Sequence, residues 1–317
     1  MPQSERIVGI DVSKRQVEAC LRARRERLSQ PSTPEGRQAM IAWLRQHDVA
    51  VAVMEASGGY ERDWAAALRG AGIAVRIVDP KRVRYFAKSA GRLAKNDPID
   101  AEMIAWFAET FATEATPAHD PEREAVDRLM TVRAMLVRLE SQIGQLGEHR
   151  QPPLVERAGR AIAGVIVRQR KRLETAIAAR IARHADWAER HRIIQSVPGF
   201  GPRCAAGIIA WLPELGQIGG KPATALVGLA PYDDDSGGHR GERHIKGGRR
   251  EIRDLLYMAA LAATRCNPVI KAHYQQLRAR GKKFKVALVA CMRKLMVILN
   301  TMLMRGQMWN PPAVAVA

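Results

Sequence analysis

Cysteine is among the residues that this 317-residue sequence has little of. Its four cysteines are far apart and form no Cys-x-x-Cys pair, and its eight histidines show no His-x-x-x-His spacing. Thiolate and imidazole ligands at such spacings are what a structural zinc site requires. A zinc site and a disulfide framework are therefore not expected, and the composition fits a reducing cytoplasm.

Long apolar runs are missing as well. No uninterrupted apolar stretch reaches the roughly 18 residues that a membrane-spanning helix needs. The first residues, Met-Pro-Gln-Ser-Glu-Arg, lack the apolar region of a secretory signal. We therefore expect no membrane span and no secretory signal.

Acidic residues are scarce relative to basic ones. Lysine and arginine total 51 against 32 aspartates and glutamates, which gives a net charge of +19. Such an excess favours a polyanionic partner, nucleic acid or an acidic membrane surface, over a protein that is basic without such a partner. Of the basic residues, 39 are arginines and 12 are lysines, and a planar guanidinium can bind two phosphate oxygens at once.

The first 115 residues alternate short strands with helices. Strands are predicted at 6–11, 16–21, 25–30, 49–54 and 73–78, and helices begin near residues 34, 60 and 98. This order predicts an α/β domain over residues 1–115, with a mixed sheet and helices on its faces.

The remaining residues are predicted to be mainly helical. Residues 116–190 have apolar positions at helical spacing and predict a coiled-coil connector that would also serve dimerisation. Its basic run, Arg168–Arg172, is either a solvated face or a nucleic-acid contact. Residues 191–317 predict a helical domain with an extended loop at Tyr232–Arg249. In it, Ser196–Pro202 resembles the phosphate-binding turn of helix-hairpin-helix modules, although Pro-Gly turns between helices are common.

Four carboxylates stand at strand ends or at a helix start in the first domain. Asp11 ends the first strand, Glu55 ends the fourth, and Asp97 and Asp100 open a helix on one face. In such a sheet the fourth strand lies beside the first, so the acids are expected to converge. Oxygen ligands select Mg²⁺ or Mn²⁺, and a pair of these ions can promote phosphoryl transfer.

Each acid also has a purely structural explanation. Asp97 followed by Pro98 is a good helix start, and Asp11 and Glu55 each precede a turn. One such acid is weak support for a metal site, whereas four on elements in this order are stronger. Three nearby acids are interpreted as surface helix charges: Glu61, Asp63 and Glu102.

The chain resembles a known family in both halves. Three segments resemble the DEDD motif of insertion-sequence transposases of the IS110 family, which are relatives of the pilin-gene invertases. These segments are Gly9–Lys14, Glu55–Tyr60 and Asn96–Ala101. The C-terminal half is similar through Val197–Gly201, Gly228–Pro231, Ser236–Gly238, Arg240-Gly241 and Ile245–Gly248. The resemblance implies an N-terminal RuvC-like domain of RNase H-like fold and a C-terminal transposase domain.

The resemblance also implies a nucleophile. A serine of the C-terminal domain is the proposed nucleophile in this family, and Ser236 is the matching position. Its flanking glycines would let a phosphate approach, although a Ser-Gly-Gly sequence is equally a flexible turn. Three basic residues follow that could hold the phosphate: Arg240, Arg243 and Lys246. Three acids precede the serine and would either recruit metal or face solvent: Asp233, Asp234 and Asp235.

Two further basic segments are candidate nucleic-acid contacts, with solvated loops as the alternative. One is the stretch 81–95, in which aromatic residues are interleaved, and the other opens the last helix. Their basic members are Lys81, Arg82, Arg84, Lys88, Arg92, Lys95, Lys282, Lys283 and Lys285. Four methionines of the last helix are predicted to pack in the core: Met292, Met296, Met302 and Met304.

The sequence therefore predicts a DNA recombinase that cuts and rejoins strands through transient phosphoserine links. The resemblance implies target and donor DNA, a bridge RNA as guide, a homodimer or tetramer, and a nucleoid-associated location in the bacterial cytoplasm. Two alternatives stay open: a resolvase-type endonuclease that uses metal and water, and an architectural nucleic-acid binder whose acids are helix caps.

Overall fold

The structure is a computed structural model that describes residues 6–92, 97–111, 114–117, 120–232, 235–236, 239–240 and 244–310. At residues 97–98, 235–236 and 239–240 it describes the backbone alone. The chain divides into two compact units, Met1–His119 and Asp120–Ala317. A separate connector domain over residues 116–190 stays a prediction.

The first unit is built on a five-stranded mixed sheet. Its elements are β1 (Ile7–Val12), β2 (Gln16–Leu21), β3 (Glu26–Pro31), α1 (Pro34–Gln46), β4 (Val51–Glu55), α2 (Glu61–Gly70), β5 (Ala74–Val78), α3 (Pro80–Ser89) and α4 (Asp97–Thr110). The strand order is β3-β2-β1-β4-β5. The first three strands pair antiparallel, and β4 runs parallel to both β1 and β5. The predicted mixed sheet, with the fourth strand beside the first, is confirmed.

Helices cover both faces of this sheet. Alternate strand residues such as Val8, Ile10 and Met54 pack in one core cluster with α1 and α2. The residues between them, such as Ile7 and Val53, pack on the other face with α3 and α4. Because side chains alternate along a strand, the sequence pattern fixes which face each strand residue joins.

The basic stretch after β5 is mostly helical. Asp79 caps α3 by accepting a hydrogen bond from the Lys81 amide at 2.8 Å, and Pro80 occupies the first turn. Asp-Pro is a strong helix start because proline has no amide to leave unsatisfied there. The alternative interpretation of this segment as a loop is therefore wrong for residues 80–89.

The second unit is mainly helical. Its helices are α5 (Pro121–Leu146), α6 (Pro153–Arg183), α7 (Ala185–Ser196), α8 (Pro202–Trp211), α9 (Gly220–Leu226), α10 (Arg250–Cys266), α11 (Pro268–Ala279) and α12 (Phe284–Arg305). α5 and α6 pack on each other as a long helical hairpin, whereas the coiled-coil connector stays a prediction. Val126 and Met130 of α5 pack in one core with residues of α8, α10 and α12.

The last helix is apolar along most of its length. α12 is long and apolar enough to cross a membrane, yet Leu288, Met292 and Leu295 are at most 1% exposed within the protein core. This burial is that of a core helix of a globular unit. Met296 and Met302 are also buried as predicted, but Met304 is 55% exposed, so its assignment to the core is wrong.

Candidate active site

Asp11 and Glu55 lie near the ends of adjacent parallel strands. Ile10 of β1 is paired with Met54 of β4, so Asp11 and Glu55 occupy the next position of the same register. Side chains alternate along a strand, so Glu55 lies on the same face as Val53 and Asp11 on the same face as Ile7. Val53 and Ile7 pack with α3 and α4, so both acids lie on the face that these helices cover. Both residues are half-buried.

Gly9 lets α4 approach this face closely. A Cβ atom at Gly9 would lie 2.3 Å from the Ala101 carbonyl oxygen and 2.3 Å from the Ala105 amide nitrogen. Only glycine permits such contact between a strand and a helix backbone. Since Asp100 directly precedes Ala101, this packing holds Asp100 beside the sheet.

A cavity of about 430 Å³ joins the acids to the basic helix. Glu55 and Asp100 both line it. Helix α3 contributes Lys81, Arg84 and Lys88 to the same wall. Carboxylates, which can bind cations, and basic groups, which can bind phosphate, thus line one cavity, and this arrangement would suit phosphoryl-transfer chemistry.

The structure places the other candidates of this unit less completely. Asp97 opens α4 one turn before Asp100, but its side chain and Lys95 lie outside the described residues. Among the described residues, no group of three or more His, Cys, Asp and Glu side chains is close enough together to hold a metal ion. Arg82 stacks over the Phe107 ring at 5.3 Å, and Arg92 is exposed.

Glu61 is a functional candidate that sequence reasoning missed. It is only 6% exposed, so its interpretation as a surface charge is wrong, whereas Asp63 is exposed as predicted. One oxygen of Glu61 accepts hydrogen bonds from the Ser57 amide at 3.0 Å, the Ser57 hydroxyl at 2.9 Å and the Gly59 amide at 2.8 Å. Burial raises the pKa of Glu61, but the hydrogen bond from its own backbone amide and those from Ser57 and Gly59 together outweigh burial and leave the pKa below its ordinary value. Glu61 thereby fixes the turn that directly follows Glu55.

We expect Glu61→Gln to lower the free energy of unfolding by about 1–3 kcal/mol, because a neutral amide accepts these bonds more weakly. The folded-state pKa of Glu61 is lowered, so its stabilisation is present above the ordinary value of 4.5 and is lost as the pH falls through the folded-state pKa. Urea unfolding at pH 7 and at pH 3 measures this dependence. Asp63→Asn on the same helix is the control, and equal stability of Glu61→Gln and wild type at pH 7 would refute the role.

Ser236 lies in the second unit, in a segment that forms two successive pairs of short antiparallel strands. β6 (Pro231–Tyr232) pairs with β9 (His244–Ile245), and further out β7 (Asp235–Ser236) pairs with β8 (His239–Arg240). The predicted extended loop thus contains four short strands, and we call residues 229–246 the serine arm. The side chains of Ser236 and Arg240 lie outside the described residues, as do Asp233, Asp234 and Arg243. Lys246 is exposed at the base of the arm.

The base of the serine arm is closed by contact between backbones. A Cβ at Gly248 would lie 2.1 Å from the Gly228 nitrogen, and one at Gly228 would lie 2.1 Å from the Gly247 oxygen. Arg249 reinforces the closure, since its guanidinium binds both carboxylate oxygens of Glu214 at 2.6 and 2.8 Å. Burial raises the pKa of Glu214, but the bonds from Arg249 help to leave it below its ordinary value. We call these contacts the neck of the arm.

The candidates at the start of α12 are accessible. Lys282, Lys283 and Lys285 are all exposed. Accessible lysines at a helix start suit phosphate contact and suit solvation equally well. Their role stays a prediction.

Comparison with known families matches both halves of the chain. A model for DEDD-type IS110 transposases matches residues 8–145. A second model, described as the transposase IS116/IS110/IS902 family, matches residues 191–275. The first match contains Asp11, Glu55 and Asp100, and the second contains Ser236.

Individual relatives agree with these matches. A probable family 20 transposase of Pseudomonas aeruginosa is 28% identical over 305 residues, 85% of this chain and 88% of that protein. A pilin gene-inverting protein of Moraxella bovis is 22% identical over 317 residues, 93% of this chain and 94% of that protein. The uncharacterized 43.6 kDa protein of insertion element IS110 of Streptomyces coelicolor is 30% identical over 147 residues, 45% of this chain and 35% of that protein. The chain belongs to the IS116/IS110/IS902 family of insertion-sequence transposases, and it is an enzyme of DNA transposition.

Proposed function

We propose that this transposase cuts and rejoins target and donor DNA through a transient phosphoserine link at Ser236, assisted by the acids of the first unit. The observation that carries the proposal is the cavity in which Glu55 and Asp100 face the basic residues of α3. A phosphodiester is an anion that needs both cationic contacts and activation, and this cavity offers side chains for each.

The acids Asp11, Glu55, Asp97 and Asp100 would hold Mg²⁺ or Mn²⁺. Their donor set is oxygen alone, which fits these hard cations. The fit rests on Glu55 and Asp100 lining one cavity and on Asp11 following in register on the neighbouring strand. When bound, the metal would supply charge stabilisation at the scissile phosphate.

Helix α3 would bind the DNA backbone beside the acids. Lys81, Arg84 and Lys88 line the cavity, and the ring of Tyr85 between them is 69% exposed. An exposed aromatic ring among basic side chains can stack on a base while the charges hold the phosphates. The same helix would therefore orient the strand toward Glu55 and Asp100.

Ser236 would act as the nucleophile. Its hydroxyl oxygen forms a bond to phosphorus while the hydroxyl proton passes to a base, and one bridging P–O bond of the strand breaks. The released strand oxygen takes up a proton. In the rejoining step a strand hydroxyl attacks the phosphoserine, so the P–O bond to serine breaks and Ser236 regains its proton. Arg240, Arg243 and Lys246 would hold the phosphate during both steps.

A bridge RNA and a second protomer complete the proposal. The charge of +19 suits an RNA held by its backbone, with base pairing supplying the sequence specificity.

The α5–α6 hairpin leaves apolar side chains exposed, among them Met135 at 48% and Ile162 at 51%, which favours burial against another copy in a homodimer or tetramer. Because its proposed substrate is DNA, the protein would be located at the bacterial nucleoid. Sequencing of the copurified RNA tests guidance, and the absence of a discrete RNA would contradict it.

We expect wild-type protein to form a covalent adduct with cognate DNA that Ser236→Ala abolishes, because alanine removes the attacking oxygen. The measurement is denaturing gel electrophoresis of labelled DNA after incubation with Mg²⁺. Ser236→Ala should bind DNA as wild type does, which separates chemistry from recognition.

The rival mechanisms predict different products. A hydrolytic endonuclease that uses the same acids would cut cognate DNA without any adduct, and Ser236→Ala would cut it equally well. An architectural binder would neither cut nor form an adduct, and Asp11→Asn would leave recombination in cells unchanged. Either result would overturn the serine mechanism.

A further inference from the structure

The second unit contains a cavity, lined by apolar and charged side chains, that the proposed chemistry does not use. Its volume is about 540 Å³, and residues of α5, α6, α7 and α8 line it. The charged residues of its wall are Arg133 from α5, Lys171 and Glu174 from α6, and Arg203 from α8. With three cationic side chains and one carboxylate, this wall carries a net positive charge.

Glu174 orients the two arginines. Its Oε1 atom accepts a hydrogen bond from the Nε atom of Arg133 at 3.0 Å and lies 2.9 Å from the Nε atom of Arg203. Nε is one of five N–H donors of a guanidinium, so these contacts position the side chains without using their terminal NH₂ groups. The result is a pair of pre-oriented guanidinium groups from two different helices, which suits the oxygens of a phosphodiester.

The start of α8 faces the same cavity. Pro202 and Arg203 line it, and the first turn of α8 carries no acidic residue. A Cβ atom at Gly201 would meet nothing within 4 Å, so open space lies at this helix start. The partial positive charge of a helix N-terminus adds to that of the three cations.

The turn before α8 is held in place from both sides. The His191 ring donates from Nε2 to the Pro202 carbonyl at 3.2 Å and accepts from Gln195 at Nδ1. Burial lowers the pKa of His191, which favours the neutral ring that these two bonds require. On the other side, the Asn267 amide donates to the Pro198 carbonyl at 3.3 Å.

We propose that this cavity is a second nucleic-acid site, which binds the sugar-phosphate backbone of a strand apart from the site of cleavage. It joins two separate sequence features, the basic run Arg168–Arg172 through Lys171 and the glycine turn Ser196–Pro202 through its last residue. The ligand chemistry is that of consecutive phosphodiesters, which DNA and RNA share. The proposal requires nucleic-acid binding by the transposase but not the serine chemistry.

The test measures binding alone. Full-length Ser236→Ala protein in EDTA is titrated into a labelled DNA duplex and a labelled RNA duplex, and anisotropy is followed over a series of salt concentrations. Lys171→Gln should weaken binding several-fold and reduce the slope of log K against log salt by about 1, as expected for one lost phosphate contact. Arg203→Gln should act in the same direction.

Arg172→Gln is the matched control. Arg172 is the next residue of the same helix and is equally exposed, but it does not line the cavity. The proposal requires that Lys171→Gln exceed Arg172→Gln with at least one probe, and the affected probe identifies the backbone as DNA or RNA. Equal losses, or no loss with either probe, would overturn it. A missing adduct with wild-type protein would refute the Ser236 mechanism and leave this result unchanged.

Discussion

We expect Asp100→Asn to slow DNA cleavage by at least about 100-fold while DNA binding stays close to wild type. Asp100 shares its cavity with Glu55 and with the basic residues of α3. The amide of asparagine is neutral, so it holds a divalent cation more weakly than a carboxylate does. Single-turnover cleavage at increasing Mg²⁺ concentrations, with anisotropy for binding, measures both quantities.

Asp63→Asn makes the same chemical change outside the cavity. Asp63 is an exposed residue of α2 in the same unit. Its substitution should leave cleavage within about twofold of wild type, because surface substitutions of this kind change little. If Asp100→Asn cleaves at the wild-type rate, or if both variants lose activity equally, Asp100 does not belong to the catalytic group.

The sheet and its helix order were predictable because their signals are local. β4 is a short apolar run, which is typical of a strand covered on both faces, and Thr33-Pro34 predicts the helix that begins there. Thr33 does cap α1, since its side chain accepts a hydrogen bond from the Gly36 amide. Asp11 and Glu55 could then be placed on neighbouring strand ends, because in a mixed sheet of this kind the fourth strand lies beside the first.

Glu61 was misassigned because its partners are backbone groups of a turn. The sequence shows an acid at the start of a helix, where surface carboxylates are common. What it does not show is that Gly58 and Gly59 adopt positive φ angles of +72° and +112°, which turn the amides of Ser57 and Gly59 toward this carboxylate. The spacing of an acid four residues after a serine was the available signal.

The turn at Pro198 is held by a contact that the sequence does not show. Asn267-Pro268 is itself a local helix start, and Asn267 caps α11 by accepting hydrogen bonds from the Val269 and Ile270 amides. Asn267 is fully buried, and its amide also holds the turn at Pro198. The cap is a local signal, whereas the contact with Pro198 joins residues 69 positions apart and can be recognised only after the chain has folded.

The neck of the serine arm depends on contacts between distant residues as well. Its two sides belong to sequence segments that match the family separately, and no local pattern indicates that Gly228 and Gly248 touch. Their contact explains the glycines at positions 228 and 248, since either Cβ atom would displace a backbone. We therefore expect the contacts at the base of the arm to determine where Ser236 lies.

We expect Gly248→Ala to reduce adduct formation at Ser236 by about tenfold or more, since its Cβ would lie 2.1 Å from the Gly228 nitrogen and 2.4 Å from the Val227 carbonyl carbon. Relief of that overlap requires the two sides of the neck to separate, which would displace the arm and its serine. An alanine at a positive φ adds roughly 1–2 kcal/mol of strain. The measurements are the adduct yield and the thermal melting temperature.

Gly247→Ala is the control that distinguishes steric overlap at the neck from backbone strain at a positive φ angle. Gly247 has a φ of +68° against +69° at Gly248, but a Cβ there meets nothing within 4 Å. Both variants therefore carry the same backbone strain, and only Gly248→Ala forces the neck apart. A larger loss of adduct in Gly248→Ala than in Gly247→Ala, at melting temperatures that show both folded, would establish that the closed neck positions Ser236. Equal losses would mean that strain alone accounts for the effect, and the close approach of Gly228 and Gly248 would then have no part in catalysis.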